Sequence, residues 1–224
     1  MKTLIVTLAL ALGMGTAQAQ LPKLDDKTGI AGIKEALAVG TRNAVKSLGK
    51  TDGYFANEAV KILMPDKVRR LTDLAAKAGY GKQVDEFVLT MNRAAEAAVP
   101  VAADTFASAI REMSVEDVKG ILTGGETAAT DFFRGKTRDK LYAALKPIVA
   151  KKVGEVGTTR AYKEMAGKVK DIPFVGGNVN LDLEDYVTNK SLDGLYTVVA
   201  QEEQKIRANP LARTTDLLKA VFGK

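Results

Sequence analysis

The strongest helical pattern in the chain lies between residues 81 and 134. In its first half, apolar side chains recur at offsets of three, four and seven residues, which places them on one face of a helix with 3.6 residues per turn. These positions are Val84, Phe87, Val88, Met91, Ala94, Ala95 and Ala98. An apolar face of this kind has to be covered by other helices, so we expect the fold to be organised around this stretch.

A break in the helix is predicted at Pro100, because proline lacks an N–H group and its ring clashes with the preceding turn. The apolar pattern resumes at Ala102, Phe106, Ala109, Ile110 and Met113. Ser114, followed three residues later by Asp117, has the spacing of a capping box and predicts the start of a short helix. Gly124 and Gly125 predict its end.

Several helices are predicted before this stretch. Apolar spacing indicates a first helix over residues 30–48, which an Asp-Gly pair at 52–53 follows. A short helix is expected at about 57–63. Pro65 is then well placed as the first residue of a third helix, because proline is favoured at that position, and Gly79 is expected to cap its end.

The last third of the chain is predicted to contain a loop and two further helices. Proline and glycine residues within 171–180 predict the loop. Asp182 and Asp185 have the spacing that caps the start of a helix, which we expect to extend over residues 183–207. A last helix is expected after Pro210.

These elements together define the predicted fold class and domain organisation. No segment shows a sustained alternation with a period of two, which a half-buried strand would need. The sequence therefore predicts an all-α protein, a compact bundle of roughly seven to nine helices without a sheet. We expect a signal peptide at residues 1–19, a flexible leader at 20–29 and a single all-α domain at 30–224.

The N-terminus has the layout of a secretory signal peptide. Lys2 precedes an apolar run over residues 3–15, and Ala17 and Ala19 supply the small residues of a cleavage site. The apolar run is shorter than the ~20 residues needed to span a bilayer. We therefore expect cleavage after Ala19 and a mature protein that is periplasmic or secreted.

The composition excludes several kinds of chemistry. The chain contains no His, no Cys and no Trp. Without Cys there is no disulfide framework, no thiol catalysis and no cysteine-ligated zinc site. Without His, the usual general base and the commonest transition-metal ligand are missing. An enzyme would have to use carboxylates, Lys, Tyr or hydroxyl groups, and we expect neither a cofactor nor a metal.

Two groups of polar residues interrupt the apolar helical patterns and are the candidate binding residues. They are Asn92, Arg93 and Glu96 in the first group, and Thr130, Asp131 and Arg134 in the second. They could line a polar pocket, but such residues more often form hydrogen bonds and ion pairs that fix helix packing, which is the interpretation we favour. No catalytic residue is predicted, because adjacent carboxylates such as Glu202 and Glu203 are typical of a solvated helix face.

Charge is distributed unevenly in the C-terminal part of the chain. Residues 134–170 hold eleven Lys or Arg against three acids, with an apolar helical face and a kink expected at Pro147. Residues 171–204 hold seven acids against Lys190 alone. The basic segment therefore either forms an exposed face for anionic lipid headgroups or packs antiparallel against the acidic segment. We favour packing, because the two segments are consecutive.

Four stretches of the sequence resemble a known family. They are MNRAAEAAVP (91–100), DVKGILTGGETAATDFFRGKT (117–137), DGLY (193–196) and NPLARTTDLLKAVFG (209–223). Together they resemble the bacterial domain-of-unknown-function family 4197 over nearly the whole mature chain. The resemblance implies an exported helical protein, and it brings with it no activity, cofactor or catalytic residue.

Two hypotheses about function follow from these observations. The leading one is a non-enzymatic binding or scaffolding module of the cell envelope, whose partner is an envelope protein or an anionic lipid surface. The alternative is a hydrolase-like enzyme that uses carboxylates and Lys or Arg on a phosphate or sugar substrate. Nucleic acid is not expected as a partner, because an exported chain with few aromatic residues has little on which bases can stack. The sequence makes no prediction of the oligomeric state.

Overall fold

The computed structural model describes residues 26–155 and 182–208, which are almost entirely helical. The helices in chain order are α1 (Asp26–Leu48), α2 (Asp66–Ala75), α3 (Gly81–Ala98), α4 (Ala102–Glu112), α5 (Val115–Thr123), α6 (Ala128–Glu155) and α7 (Leu183–Ala208). No strand occurs in these two ranges, which confirms the predicted all-α class. Within the described ranges some of these helices are continuous with one another, because short π and 3-10 turns join α2, α3 and α4 end to end.

The core lies where α3, α4, α6 and α7 meet. Helix α6 packs against α3, α4, α5 and α7, and α1 covers α4, α5 and α7 from the other side. Phe106 of α4 lies 4.7 Å from the ring of Phe133 on α6 and 6.2 Å from the ring of Tyr196 on α7, measured between ring centroids. Phe87 and Met91 bury the apolar face of α3 against this cluster, as the periodicity predicted.

Several helix ends lie where the sequence predicted them. At the start of α5, the Asp117 N–H donates to the Ser114 hydroxyl at 3.1 Å, and the Ser114 N–H donates to the Asp117 carboxylate at 2.9 Å, so the predicted capping box is present. Pro100 lies in a 3-10 turn between α3 and α4. Asp182 accepts a hydrogen bond from the N–H of Asp185 at 2.9 Å and so caps the start of α7.

Other boundaries differ from the predictions. The short helix predicted at 57–63 is wrong, since that part of the chain forms turns. Helix α1 begins at Asp26, so residues 26–29 of the predicted leader are helical. Pro65 immediately precedes the first residue of α2 and serves as its N-cap position. Gly79, in contrast, agrees with its prediction as a cap, since its φ of 93° is the left-handed conformation that ends a helix, and α3 begins two residues later.

Some predictions lie outside the described residues. They concern the signal peptide, residues 20–25 of the leader, the second half of the basic segment, the loop at 171–180 and the last helix. Helix α6 continues through Pro147 as far as Glu155. In the two described ranges, none of the helices combines the length and the hydropathy required to cross a membrane.

Candidate functional site

The six predicted binding residues do not form one pocket. Asn92, Arg93 and Glu96 lie on α3 and contact the turns between α1 and α2, here called the 49–64 segment. The other three residues lie in the first turns of α6, and no hydrogen bond or ion pair within the described ranges connects them to the first three. The six residues therefore form two separate clusters.

Asn92 holds the 49–64 segment against α3. Its carboxamide oxygen accepts from the N–H of Ile62 at 2.9 Å, and its amide nitrogen donates to the Ile62 carbonyl at 2.9 Å. The same nitrogen donates to the Val88 carbonyl at 2.7 Å. Asn92 is fully buried, so these bonds satisfy polar groups of both the side chain and the Ile62 backbone in the interior. Its role is structural.

Glu96 makes a second attachment one turn further along α3. One carboxylate oxygen accepts from the backbone N–H groups of Tyr54 and Phe55, at 3.0 and 3.2 Å. The other oxygen binds the guanidinium of Arg93 at 2.6 Å, and Arg93 also binds Asp52 at 2.7 Å. Hydrogen bonds raise the pKa of Arg93, and the bond to Glu96 has a larger effect than the bond to Asp52. We call Asn92 and Glu96 together the α3 anchor.

Tyr54 extends from the anchored segment into the core. Its hydroxyl donates to the carbonyl of Ser191 on α7 at 2.6 Å, and its ring lies against Gly194. A Cβ atom at position 194 would come within 2.7 Å of the Tyr54 ring, so the ring fits only against glycine. The pKa of Tyr54 is raised well above its usual value, mainly by burial and to a smaller extent by the negative charges of Glu96 and Asp193. The phenol therefore stays protonated.

Glu203 performs a similar task at the start of α6. Its two carboxylate oxygens accept from the N–H groups of Ala129 and Thr130, at 3.2 and 2.9 Å, and from the Thr130 hydroxyl at 2.7 Å. A carboxylate here satisfies N–H groups that have no partner within the helix. Its negative charge is also stabilised by the positive end of the helix dipole. Glu203 also binds Arg207 at 2.9 Å, while its neighbour Glu202 binds Asn43 on α1. The two adjacent carboxylates therefore do not act as a pair.

Asp131 and Arg134 are not bound to Thr130 or to each other. Asp131 is exposed and accepts from the Thr127 hydroxyl at 3.1 Å. The guanidinium of Arg134 lies over the ring of Tyr196, 5.0 Å from its centroid. This arrangement is a cation–π contact at the surface of the core and offers no group for acid–base chemistry.

The first part of the basic segment, within α6, packs antiparallel against α7 in the described residues. Arg138 binds Asp193 and Asn189, both at 3.0 Å. One turn later, Tyr142 donates to Asp185 at 2.5 Å, and Lys146 donates to the Tyr142 oxygen at 2.9 Å. This hydrogen bond raises the pKa of Lys146, so its amine stays protonated and is a poor base. The geometry thus agrees with the favoured packing interpretation along this part of α6.

An open groove lies between α1 and α4, on a side of the molecule that the sequence analysis did not single out. The α1 wall consists of Ala38, Thr41, Arg42, Val45 and Lys46. The α4 wall consists of Ala103, Ala107 and Ile110. The volume between these walls, here called the α1–α4 groove, is about 290 Å³. The groove is open because small alanine side chains lie where larger residues would fill the space.

The polar groups of the groove differ sharply from those of the α3 anchor. The Thr41 hydroxyl donates to the Leu37 carbonyl at 2.6 Å, so it is already bound within α1. Arg42 and Lys46 are exposed and form no hydrogen bond or ion pair within the described ranges. No carboxylate lines the groove. Chemically it can receive apolar side chains and attract negative charge, but it supplies no general base.

A sequence signal for the groove exists, although it is weak. Ala103 and Ala107 are one turn apart on α4 and are exposed, while Phe106 is buried in the core and Ile110 is buried but also lines the groove. Alanine on an outward face has many explanations, so the pattern alone does not identify a binding surface. In the described ranges no group of three or more acidic residues is arranged to hold a metal ion.

Comparison with known proteins gives one match. The model of a family described as a protein of unknown function (DUF4197) matches residues 23–223, which is nearly the whole chain. No curated protein matches the chain. No solved structure matches it either. Because the match extends over most of the sequence, and the helical fold agrees with the resemblance noted above, the chain belongs to the DUF4197 family.

Proposed function

We propose that the protein is a non-enzymatic binding module of the cell envelope and that it binds its partner through the α1–α4 groove. The observation that carries this proposal is the lining of the groove. Apolar side chains from two helices form most of its walls, and two cations without an ion-pair partner in the described part of the chain lie beside them. Among the described lining residues there is no carboxylate, and the one hydroxyl, that of Thr41, is already bound within α1. Such a lining suits recognition of a surface and does not suit bond breaking.

The interior carboxylates support the same proposal. Glu96 and Glu203 are the most buried acids in the described ranges, and both bind backbone N–H groups. A carboxylate held in this way stabilises the fold and cannot also take a proton from a substrate without releasing those groups. The alternative, a hydrolase-like enzyme acting on a phosphate or sugar substrate, therefore has less support.

We also propose that the protein is exported, on the basis of its N-terminal sequence. The charged start, the short apolar run and the Ala17–Ala19 site favour cleavage after Ala19, and a periplasmic or secreted mature chain. Intact-mass measurement of the protein from the periplasmic fraction tests this. Recovery of the uncut chain in the membrane pellet would contradict it.

Site-specific photocrosslinking tests the proposed binding surface in the native envelope. Ala103, an exposed residue at the end of the groove, is replaced by a photoreactive phenylalanine analogue, and Ala143, an exposed alanine on α6, is replaced in a control. We expect one discrete adduct from position 103 that position 143 does not give. Identical adducts from both positions, or none from position 103, would contradict binding through the groove.

A turnover assay separates the two hypotheses about chemistry. Asp131 is the exposed carboxylate of the predicted cluster, and the proposal expects Asp131→Asn to leave the crosslink from the groove unchanged. A metal-independent hydrolysis of a phosphate or sugar substrate that Asp131→Asn abolishes would favour the enzyme instead.

A further inference from the structure

We propose that the α1–α4 groove receives an acidic amphipathic helix of another envelope protein. This inference rests on the proposed binding function and names the chemistry of the partner. The dimensions of the groove, its charge and the poor fit of other occupants all favour such a helix.

The dimensions of the groove suit a helix. Its α1 wall extends from Ala38 to Lys46 and its α4 wall from Ala103 to Ile110. At 1.5 Å per residue each wall is about 10–12 Å long, which corresponds to two turns of helix. A guest helix with apolar residues at i, i+3 or i+4, and i+7 presents its side chains over the same length. A volume of 290 Å³ is small for a free ligand but sufficient for a few such side chains.

The charge of the groove selects an acidic guest. Arg42 and Lys46 are four residues apart, so they lie on the same face of α1. Both are exposed, and neither is neutralised by a carboxylate within the described ranges. Asp or Glu residues flanking the apolar face of a guest helix would meet these cations at the edge of the interface. Charge pairs at such an edge act mainly on specificity and on the association rate.

Three other occupants fit less well. A second copy that docked the same groove symmetrically would place Arg42 and Lys46 opposite themselves. Residues 209–224 of this chain carry three Lys or Arg against Asp216 alone, so the groove would repel them. A flat bilayer would reach the exposed cations, but it would not fill a groove whose wall includes the buried side chain of Ile110.

Binding of two designed peptides to the protein purified from the cell envelope tests the inference. One peptide is a helix with leucines at i, i+3 and i+7 and glutamates on both flanks, and the other has lysines in place of the glutamates. We expect the acidic peptide to bind at least tenfold more tightly in fluorescence anisotropy, with a preference that weakens as salt is added.

A charge swap makes the test specific for the groove. Reversal of both cations, by Arg42→Glu with Lys46→Glu, should invert the preference so that the basic peptide binds more tightly. The matched control is Lys136→Glu with Lys140→Glu, two exposed lysines four residues apart on α6. It changes net charge equally and should leave the preference of the parent intact. Ala107→Trp, which fills the groove, should abolish binding of both peptides while the circular dichroism spectrum stays unchanged.

Each contrary result has a defined meaning. An acidic preference that survives the groove reversal, or that the α6 control also removes, overturns the inference. Self-association that Ala107→Trp abolishes would assign the groove to a second copy. Competition by phosphatidylglycerol vesicles for the acidic peptide would assign it to a membrane. If the peptides do not bind while position 103 still gives its own crosslink, the binding function stands and the acidic helix is wrong.

Discussion

The α3 anchor and the α1–α4 groove use polar residues in opposite ways. Asn92 and Glu96 are buried, and each binds backbone groups of the 49–64 segment. Arg42 and Lys46 are exposed, and within the described ranges nothing satisfies them. The polar residues that interrupt the apolar helical pattern of α3 hold the fold together. The proposed binding surface is lined mainly by small or apolar side chains, with two exposed cations beside them.

The first prediction concerns the buried core, where we expect the largest loss of stability. Phe87 lies on the apolar face of α3, which packs into the core, and the residue is 2% exposed. Phe87→Ala should lower the free energy of unfolding by about 3–5 kcal/mol, because it removes buried apolar area and leaves a cavity. Urea unfolding monitored by circular dichroism measures the loss. The exposed neighbour Glu86 is the control, and an equal loss in Glu86→Ala would contradict the core assignment.

The second prediction tests the α3 anchor directly. Asn92→Leu leaves the N–H and the carbonyl of Ile62 without their side-chain partner in the interior. The expected loss is roughly 2–4 kcal/mol, since each unsatisfied buried group costs about 1–3 kcal/mol. Gln83→Leu, an exposed amide on the same helix, should change stability by less than about 0.5 kcal/mol. Similar values for the two variants would mean that the hydrogen bonds of Asn92 do not hold the segment.

The third prediction concerns the tight fit of Tyr54. Gly194→Ala places a methyl group 2.7 Å from the Tyr54 ring and should cost about 1–3 kcal/mol through overpacking. Gly135→Ala on α6 is the matched control, because a Cβ atom there meets nothing within 4 Å. That change should stabilise the protein by about 0.5–1 kcal/mol through helix propensity. If both variants stabilise, the segment does not constrain α7.

The fourth prediction uses pH. Tyr54 has a pKa of 10.0 when unfolded and a higher pKa when folded, because burial disfavours the phenolate. Its contribution to stability is therefore complete below pH 10 and decreases as pH rises above it, by at most about 1.4 kcal/mol per pH unit. Urea unfolding between pH 9 and pH 11.5 should show a shallower decrease in Tyr54→Phe than in the parent. Parallel curves would place the Tyr54 hydroxyl in contact with water.

The last prediction is the smallest effect and concerns the groove. Ala107 is exposed, and its side chain faces open space rather than the core. Ala107→Leu should therefore change the free energy of unfolding by less than about 0.5 kcal/mol. The same change should reduce the crosslink from position 103 to the partner, because leucine takes up part of the groove. A large loss of stability would show that the groove is part of the packed core.

The fold was predictable to the extent that it depends on local rules. The class, the break at Pro100 and the cap formed by Ser114 and Asp117 all follow from periodicity or from short-range hydrogen bonding. The helix predicted at 57–63 was wrong, because side chains about 30 to 40 residues further along the chain bind the backbone of this region. No local pattern contains that information.

The site was harder to predict than the fold. Asn92 and Glu96 were recognised as unusual, and the favoured structural interpretation agrees with their contacts, although they bind turns rather than another helix. The importance of Glu203 was missed, since a carboxylate on a polar helix face looks solvated until the start of α6 is placed beside it. The groove arises from the relative position of α1 and α4, which a single sequence does not specify.

The hydrogen bond between Tyr54 and Ser191 also limits how early this part of the chain can fold during synthesis. The two residues are 137 positions apart, and synthesis proceeds at about 5–20 residues per second. Ser191 is therefore added on the order of ten seconds after Tyr54. During that interval Tyr54 has no α7 to pack against, whereas α1 can already form its local hydrogen bonds. In a chain that ends before α7, a protease should thus cut the 49–64 segment more readily than it does in the full chain.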